Sequence, residues 1–191
     1  MEKKKSVQQK LKDAMTKMLD EKKFDQVSVS ELCRDAYTSR VTFYTYYDDK
    51  YALLDDYFKD MLEKAETDFD KLQKKNNPED EPEQAYANFL DAVLNLYYDR
   101  IDFFRHAEED QDQNLYFRYY WYVLRNFENF TMRYCEVLRP RFSPEQTSAT
   151  LCNGLWGLIH ICREEKMSED KLRERVKEAL QIILRSGFFI R

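Results

Sequence analysis

Glycine and proline are scarce in this chain, with 3 and 4 in 191 residues. Hairpins and tight turns draw on both, so a barrel or sandwich of many short strands is poorly supplied with connections. Histidine is scarcer still. His106 and His160 are the two present, and neither falls in an H-E-x-x-H pattern or in the E-x-x-H pattern of di-iron bundles. There is also no glycine-rich phosphate loop and no nucleophile elbow. These absences remove the usual routes to catalysis, and no enzyme, metal site or cofactor is expected. The four cysteines, Cys33, Cys135, Cys152 and Cys162, form no C-x-x-C pair and sit among apolar residues. Reduced core thiols are therefore expected rather than a disulfide framework. The opening Met-Glu-Lys-Lys-Lys-Ser-Val leads into no continuous apolar run. Neither a signal peptide nor a membrane span is expected, and a cytoplasmic location follows as the working expectation.

What the chain has in quantity is helix-forming and core-forming material. Hydrophobic residues make up 43% and aromatics 15%, enough to bury a sizeable core. Leu, Lys, Glu and Tyr at this glycine and proline content favour long helices, and the expected class is all-α. Net charge is −5, but its distribution is uneven: residues 1–50 carry 11 basic and 9 acidic side chains, leaving 20 and 27 for the rest. A mildly basic head on an acidic body suits a protein that meets an anion at one end, because attraction follows the local field.

Apolar spacing places the helices. Val7, Leu11, Met15, Met18 and Leu19 recur at helical intervals and predict an amphipathic helix over about 5–22, closed by Phe24. Ser28-Val-Ser-Glu31 matches a capping box and starts a short helix through Ala36. Ser39 can cap a second, over Arg40 to Tyr47, with Phe43 and Tyr47 on its inner face. Two short helices joined by about three residues form a helix-turn-helix. Asp48-Asp49 should cap a long connector running to about residue 74. The polar stretch 74–82, holding Pro78 and Pro82, is the clearest break. Further helices are expected near 83–99, 101–111, 113–138, 144–165 and 168–186, about nine in all, the last ending at Gly187.

The stretch from Val27 to Leu54, V-S-V-S-E-L-C-R-D-A-Y-T-S-R-V-T-F-Y-T-Y-Y-D-D-K-Y-A-L-L, resembles the DNA-binding segment of the TetR family of bacterial repressors. The resemblance covers about 60 residues, counting the first helix. It implies a three-helix DNA-binding domain at 1–50 and an all-helical dimerisation and ligand-sensing domain at 51–191. It further implies a homodimer that binds double-stranded DNA and is released by a small effector. Carried over by position, it gives DNA-facing roles to Ser30, Arg40, Val41, Thr42, Tyr44, Thr45, Tyr46 and Lys50, with Lys50 meeting phosphate at the start of the long helix. The sequence departs from the family pattern at three places. Tyr37 and Val41 stand where glycine is common, so the backbone at Tyr37 must either avoid positive φ or accept strain. Asp48 stands where a basic or neutral residue is common. The terminal Lys3, Lys4 and Lys5 read either as a solvated charge run or as an arm to DNA.

In the body, a dense aromatic set reads either as core or as a cage for an apolar or aromatic effector lined by Tyr97, Phe104, Tyr116, Tyr120, Trp121 and Phe127. Gly154 and Gly157 weaken a helix interior, which a close helix contact would offset. A dimer seam of Leu155, Leu158, Ile159, Val176, Leu180, Ile183 and Leu184 is expected there, with burial inside one chain as the other reading. A second function class also fits the sequence: a helical ligand- or protein-binding dimer whose head does not read DNA.

Overall fold

A computed structural model describes residues 5–101 and 113–190, with the backbone alone for 113–118. Eight α-helices follow in order: α1 Val7–Glu21, α2 Val29–Asp35, α3 Arg40–Tyr46, α4 Lys50–Asn76, α5 Pro82–Asp99, α6 Gln113–Leu138, α7 Pro144–Glu164 and α8 Glu169–Arg185, with a 3-10 turn at Phe24–Gln26 after α1. The helix expected near 101–111 lies outside the described residues. Among the described residues no helix is long and apolar enough to cross a membrane.

Each helix end has a local cause. The Ser6 side chain accepts from the Gln9 N–H, Ser28 and Glu31 close a capping box on α2, and Ser143 and Gln146 close another on α7. At the other ends the scarcity of glycine shows: Tyr37, Asp80, Arg139 and Lys166 have φ of 51°, 54°, 46° and 57°, and no glycine has positive φ. Gly187 therefore does not make the expected left-handed stop. Helix α8 ends at Arg185, with Ser186 as its cap.

The chain forms two compact units, Met1–Lys64 with Tyr97–Tyr119, and Ala65–Leu96 with Tyr120–Arg191. This partition differs from the expected 1–50 and 51–191. The division falls within helix α4, after Lys64, and the last residues of α5 belong to the first unit.

The first unit packs Leu11, Met15, Phe24, Leu32, Phe43, Leu53, Leu54 and Phe58 into one core, all nearly inaccessible. Arg100 is held within this unit by Asp20, at 2.9 and 3.3 Å. In the second unit Tyr86, Phe89, Phe127 and Phe130 interlock, with centroids 4.7–5.9 Å apart. The expected solvated loop contains a buried residue: Asn77 accepts from the Glu81 N–H at 2.8 Å and donates to the Glu81 carbonyl at 3.0 Å, replacing the helix bonds lost at the corner. Helices α7 and α8 pack on each other, and each buries one stripe: Leu151, Leu155, Ile159 and Cys162 on α7, and Leu172, Val176, Leu180 and Leu184 on α8. Cys33 and Cys162 are buried thiols and Cys135 and Cys152 half-buried ones. Burial pushes the Cys152 thiol up to about 12, which suppresses thiolate chemistry.

Candidate nucleic-acid interface

The interface begins with how α2 is anchored. The Glu31 carboxylate accepts from the Ser28 N–H at 3.1 Å and the Ser28 hydroxyl at 2.7 Å, and pairs with Lys22 at 2.7 Å. These donors hold its pKa down at about 2, the Lys22 bond contributing most. The start of α2 is thereby fastened to the end of α1. The end of α2 closes as a Schellman motif: the Tyr37 N–H donates to Arg34 at 3.2 Å and the Thr38 N–H to Cys33 at 2.9 Å. Tyr37 thus occupies the left-handed position that glycine usually fills, so strain is accepted rather than avoided.

Helix α3 then starts at Ser39, whose hydroxyl accepts from the Thr42 N–H at 3.0 Å. Seven residues, two turns, place Phe43 inward with no exposure, and Tyr47 follows it into the core. The Tyr47 hydroxyl donates to Asp56 on α4 at 2.6 Å, and Lys12 on α1 joins Asp60 at 2.6 Å and Asp56 at 3.4 Å. Burial, then Asp56, pushes the Tyr47 hydroxyl well above the ordinary tyrosine range. Two helices, α1 and α4, thus fix the orientation of α3 through one polar cluster that engages its inner side.

The opposite face holds most of the expected DNA contacts. Val41 is 80% exposed, Tyr44 50% and Tyr46 47%, and Ser30, Arg40 and Thr45 are exposed as well. Arg40 makes no ion pair or hydrogen bond among the described residues. Thr42 is half-buried and its hydroxyl lies 2.8 Å from that of Ser39, so it serves the cap; the Thr45 hydroxyl donates back to the Val41 carbonyl at 3.1 Å. Lys5 pairs with Asp13 at 2.7 Å, while Lys3 and Lys4 lie outside the described residues.

Lys50 is a correction. Its ammonium donates to the Phe24, Asp25 and Val27 carbonyls at 2.9, 3.2 and 3.0 Å and lies 4.5 Å from the Phe24 ring centroid. An ammonium has three N–H donors, and three carbonyls take them. The anion position at the start of α4 is also filled, because Asp49 accepts from the Tyr51 and Ala52 N–H groups, each at 2.8 Å. Lys50 therefore ties the 3-10 turn to α4 instead of reaching phosphate. The sequence showed a lysine after two acids, but not the folded-back loop whose carbonyls surround it.

The body residues also require correction. Phe127 is spent in the packed aromatic cluster, and Trp121 is half exposed on the surface. Tyr97 is buried edge-to-face on Tyr98, and Tyr120 accepts from Asn153 at 2.9 Å. The side chains of Phe104 and Tyr116 lie outside the described residues. Of the expected seam, Leu155, Ile159, Val176, Leu180 and Leu184 are already buried within one chain, and Leu158 and Ile183 are half-buried. A Cβ added at Gly154 or Gly157 would meet no atom within 4 Å. These glycines therefore face open space, beside exposed Ile161, with Ile182 exposed on α8.

The geometry defines an all-α protein with a helix-turn-helix head. Similar solved structures narrow the class. A TetR-family transcriptional regulator from Syntrophomonas wolfei superposes with a TM-score of 0.75 at 8% identity, covering 97% of this chain and 98% of that one. The flavonoid-responsive regulator FrrA gives 0.62 at 18% identity, with 93% and 94% covered. A TetR/AcrR-type transcriptional regulator from Aquifex aeolicus gives 0.60 at 22%, with 93% and 99% covered. No family model and no curated protein matches the sequence. The fold is that of TetR-family regulators over more than nine-tenths of the chain.

Proposed function

We propose that the protein is a homodimeric, DNA-binding transcriptional regulator. The observation that carries this reading is the division of α3 into two faces. Phe43 and the following Tyr47 lock it into the head, and Arg40, Val41, Tyr44, Thr45 and Tyr46 are exposed to solvent. A helix of that kind fits the major groove, where arginine forks onto guanine, valine meets a thymine methyl and tyrosine hydroxyls reach phosphate. The likeness in fold to the regulators above supports the same reading.

Dimerisation belongs to this proposal through the open faces of α7 and α8. Gly154, Gly157 and Ile161 lie along one stripe of α7, and Ile182, 63% exposed, offers the matching apolar contact on α8. Glycines that face open space in one chain allow close approach of a second. Two heads set about 34–36 Å apart would read a pseudo-palindromic site. An apolar or aromatic effector would act in the body, at a place other than the packed cluster that holds Phe127.

The test is fluorescence anisotropy with duplex DNA from upstream of the chain's own coding region, against a scrambled duplex, across a salt series. Arg40→Ala with Tyr44→Ala should lower specific affinity at least about 10-fold while sedimentation and circular dichroism stay unchanged. Equal affinity of the double variant and the unsubstituted chain would instead favour a helical dimer whose head reads no DNA.

A further inference from the structure

We propose that Tyr37 is a DNA-backbone contact in its own right, its phenolic hydroxyl donating to a phosphodiester oxygen beside the groove that α3 enters. The proposal rests on the DNA-binding reading above and extends it to a residue outside the recognition helix.

Tyr37 is expensive where it stands. Its φ of 51° is a left-handed conformation that an L side chain adopts only at a cost, and its ring is 92% exposed, more than any other large apolar residue of the described chain. Its side chain makes no hydrogen bond and no ring contact among the described residues, so the phenol adds no such contact to the fold. The other left-handed residues supply a comparison. Asp80 accepts from Tyr134 at 2.6 Å and from Arg133 at 3.0 Å, and Arg139 donates to the Glu136 carbonyl at 3.4 Å. Lys166 makes no side-chain bond, but it is a solvated charge at an equivalent Schellman position, with its N–H to Arg163 at 2.8 Å and the Met167 N–H to Cys162 at 3.0 Å. Tyr37 alone of the four exposes an aromatic ring to water without a partner.

Its position indicates the use. Tyr37 lies two residues before the Ser39 cap, in the turn that leads the chain into α3. Asp35, two residues before Tyr37, is tied to Lys17 on α1 at 2.9 Å, which holds the end of α2 in place. A neutral O–H donor suits a phosphate oxygen and carries no base information. The contact should therefore strengthen binding to every duplex alike.

The experiment compares the unsubstituted chain, Tyr37→Phe, Tyr37→Gly and the control Lys166→Gly, using the upstream duplex and a random duplex of equal length. Both Tyr37 variants should bind both duplexes about 3- to 10-fold more weakly, with the salt slope unchanged because no charge is removed. Tyr37→Gly and Lys166→Gly should each raise Tm by about 2–4 °C through relief at the left-handed position, with Lys166→Gly binding DNA normally. A gain in stability combined with a loss in binding is an outcome that a purely structural tyrosine does not produce. Undiminished affinity in Tyr37→Phe overturns the proposal. Failure of the unsubstituted chain to bind either duplex would overturn the regulator reading itself and the proposal with it.

Discussion

Single residues in the head do their work through geometry that charge alone would not reveal. Lys22 and Ser28 both converge on the Glu31 carboxylate, which also completes the α2 capping box. Its folded pKa of about 2 lies below the ordinary 4.5, so the charged form is favoured by folding. The resulting stability is present above the ordinary value and is lost as pH falls through the folded one. Glu31→Gln keeps a capping-box residue and removes only the charge. The unsubstituted chain should melt at higher temperature than this variant at neutral pH, and the gap should close between about pH 4.5 and 2. Thermal circular dichroism across that range checks it, and a gap independent of pH would assign the effect to something other than the carboxylate. Lys50 teaches the same lesson in reverse. Its type suggested a phosphate ligand, yet the carbonyls of Phe24, Asp25 and Val27 claim it.

At the scale of elements, each helix carries a buried stripe, and the cost of disturbing it follows from burial. Leu180 is 1% exposed, in the buried stripe of α8. Leu180→Ala should destabilise the chain by about 3 kcal/mol, from lost transfer energy plus a cavity, read as a lower urea midpoint at unchanged slope. Helix ends obey a different economy. With 3 glycines in 191 residues, none at positive φ, the chain stops helices with tyrosine, arginine and lysine. Apolar periodicity identified α1, α4, α6, α7 and α8 to within a few residues, because burial on one side imposes the 3.6-residue repeat. It left open whether the body's leucines would be covered within one chain or by a second copy, since a helix stripe looks the same whichever helix covers it.

For the whole molecule, the uneven charge and the open faces of α7 and α8 bear on assembly. Ile161 and Ile182 are 49% and 63% exposed, so charges placed there leave the folded core intact. Ile161→Glu with Ile182→Glu should convert a dimer into a monomer in sedimentation, with an unchanged helical spectrum. Affinity for a two-fold DNA site should then fall by at least about 100-fold, because the second head is no longer delivered by the first. A dimer that survives both charges would move the interface elsewhere on the body.

The sequence by itself determined the helical class, the capped pair of short helices in the head, and the inward Phe43 and Tyr47, while the outward Arg40, Val41, Tyr44 and Tyr46 were implied by the family resemblance. All of these depend on neighbours within one or two helical turns, where spacing and capping chemistry act directly. Tertiary structure alone decided that Lys50 is enclosed, that Asp49 rather than Asp48 caps α4, that Phe127 belongs to packed core, and that Gly154 and Gly157 face open space. Those outcomes depend on groups brought together from distant parts of the chain, where the same side chain serves as ligand, anchor or surface according to what the fold places against it.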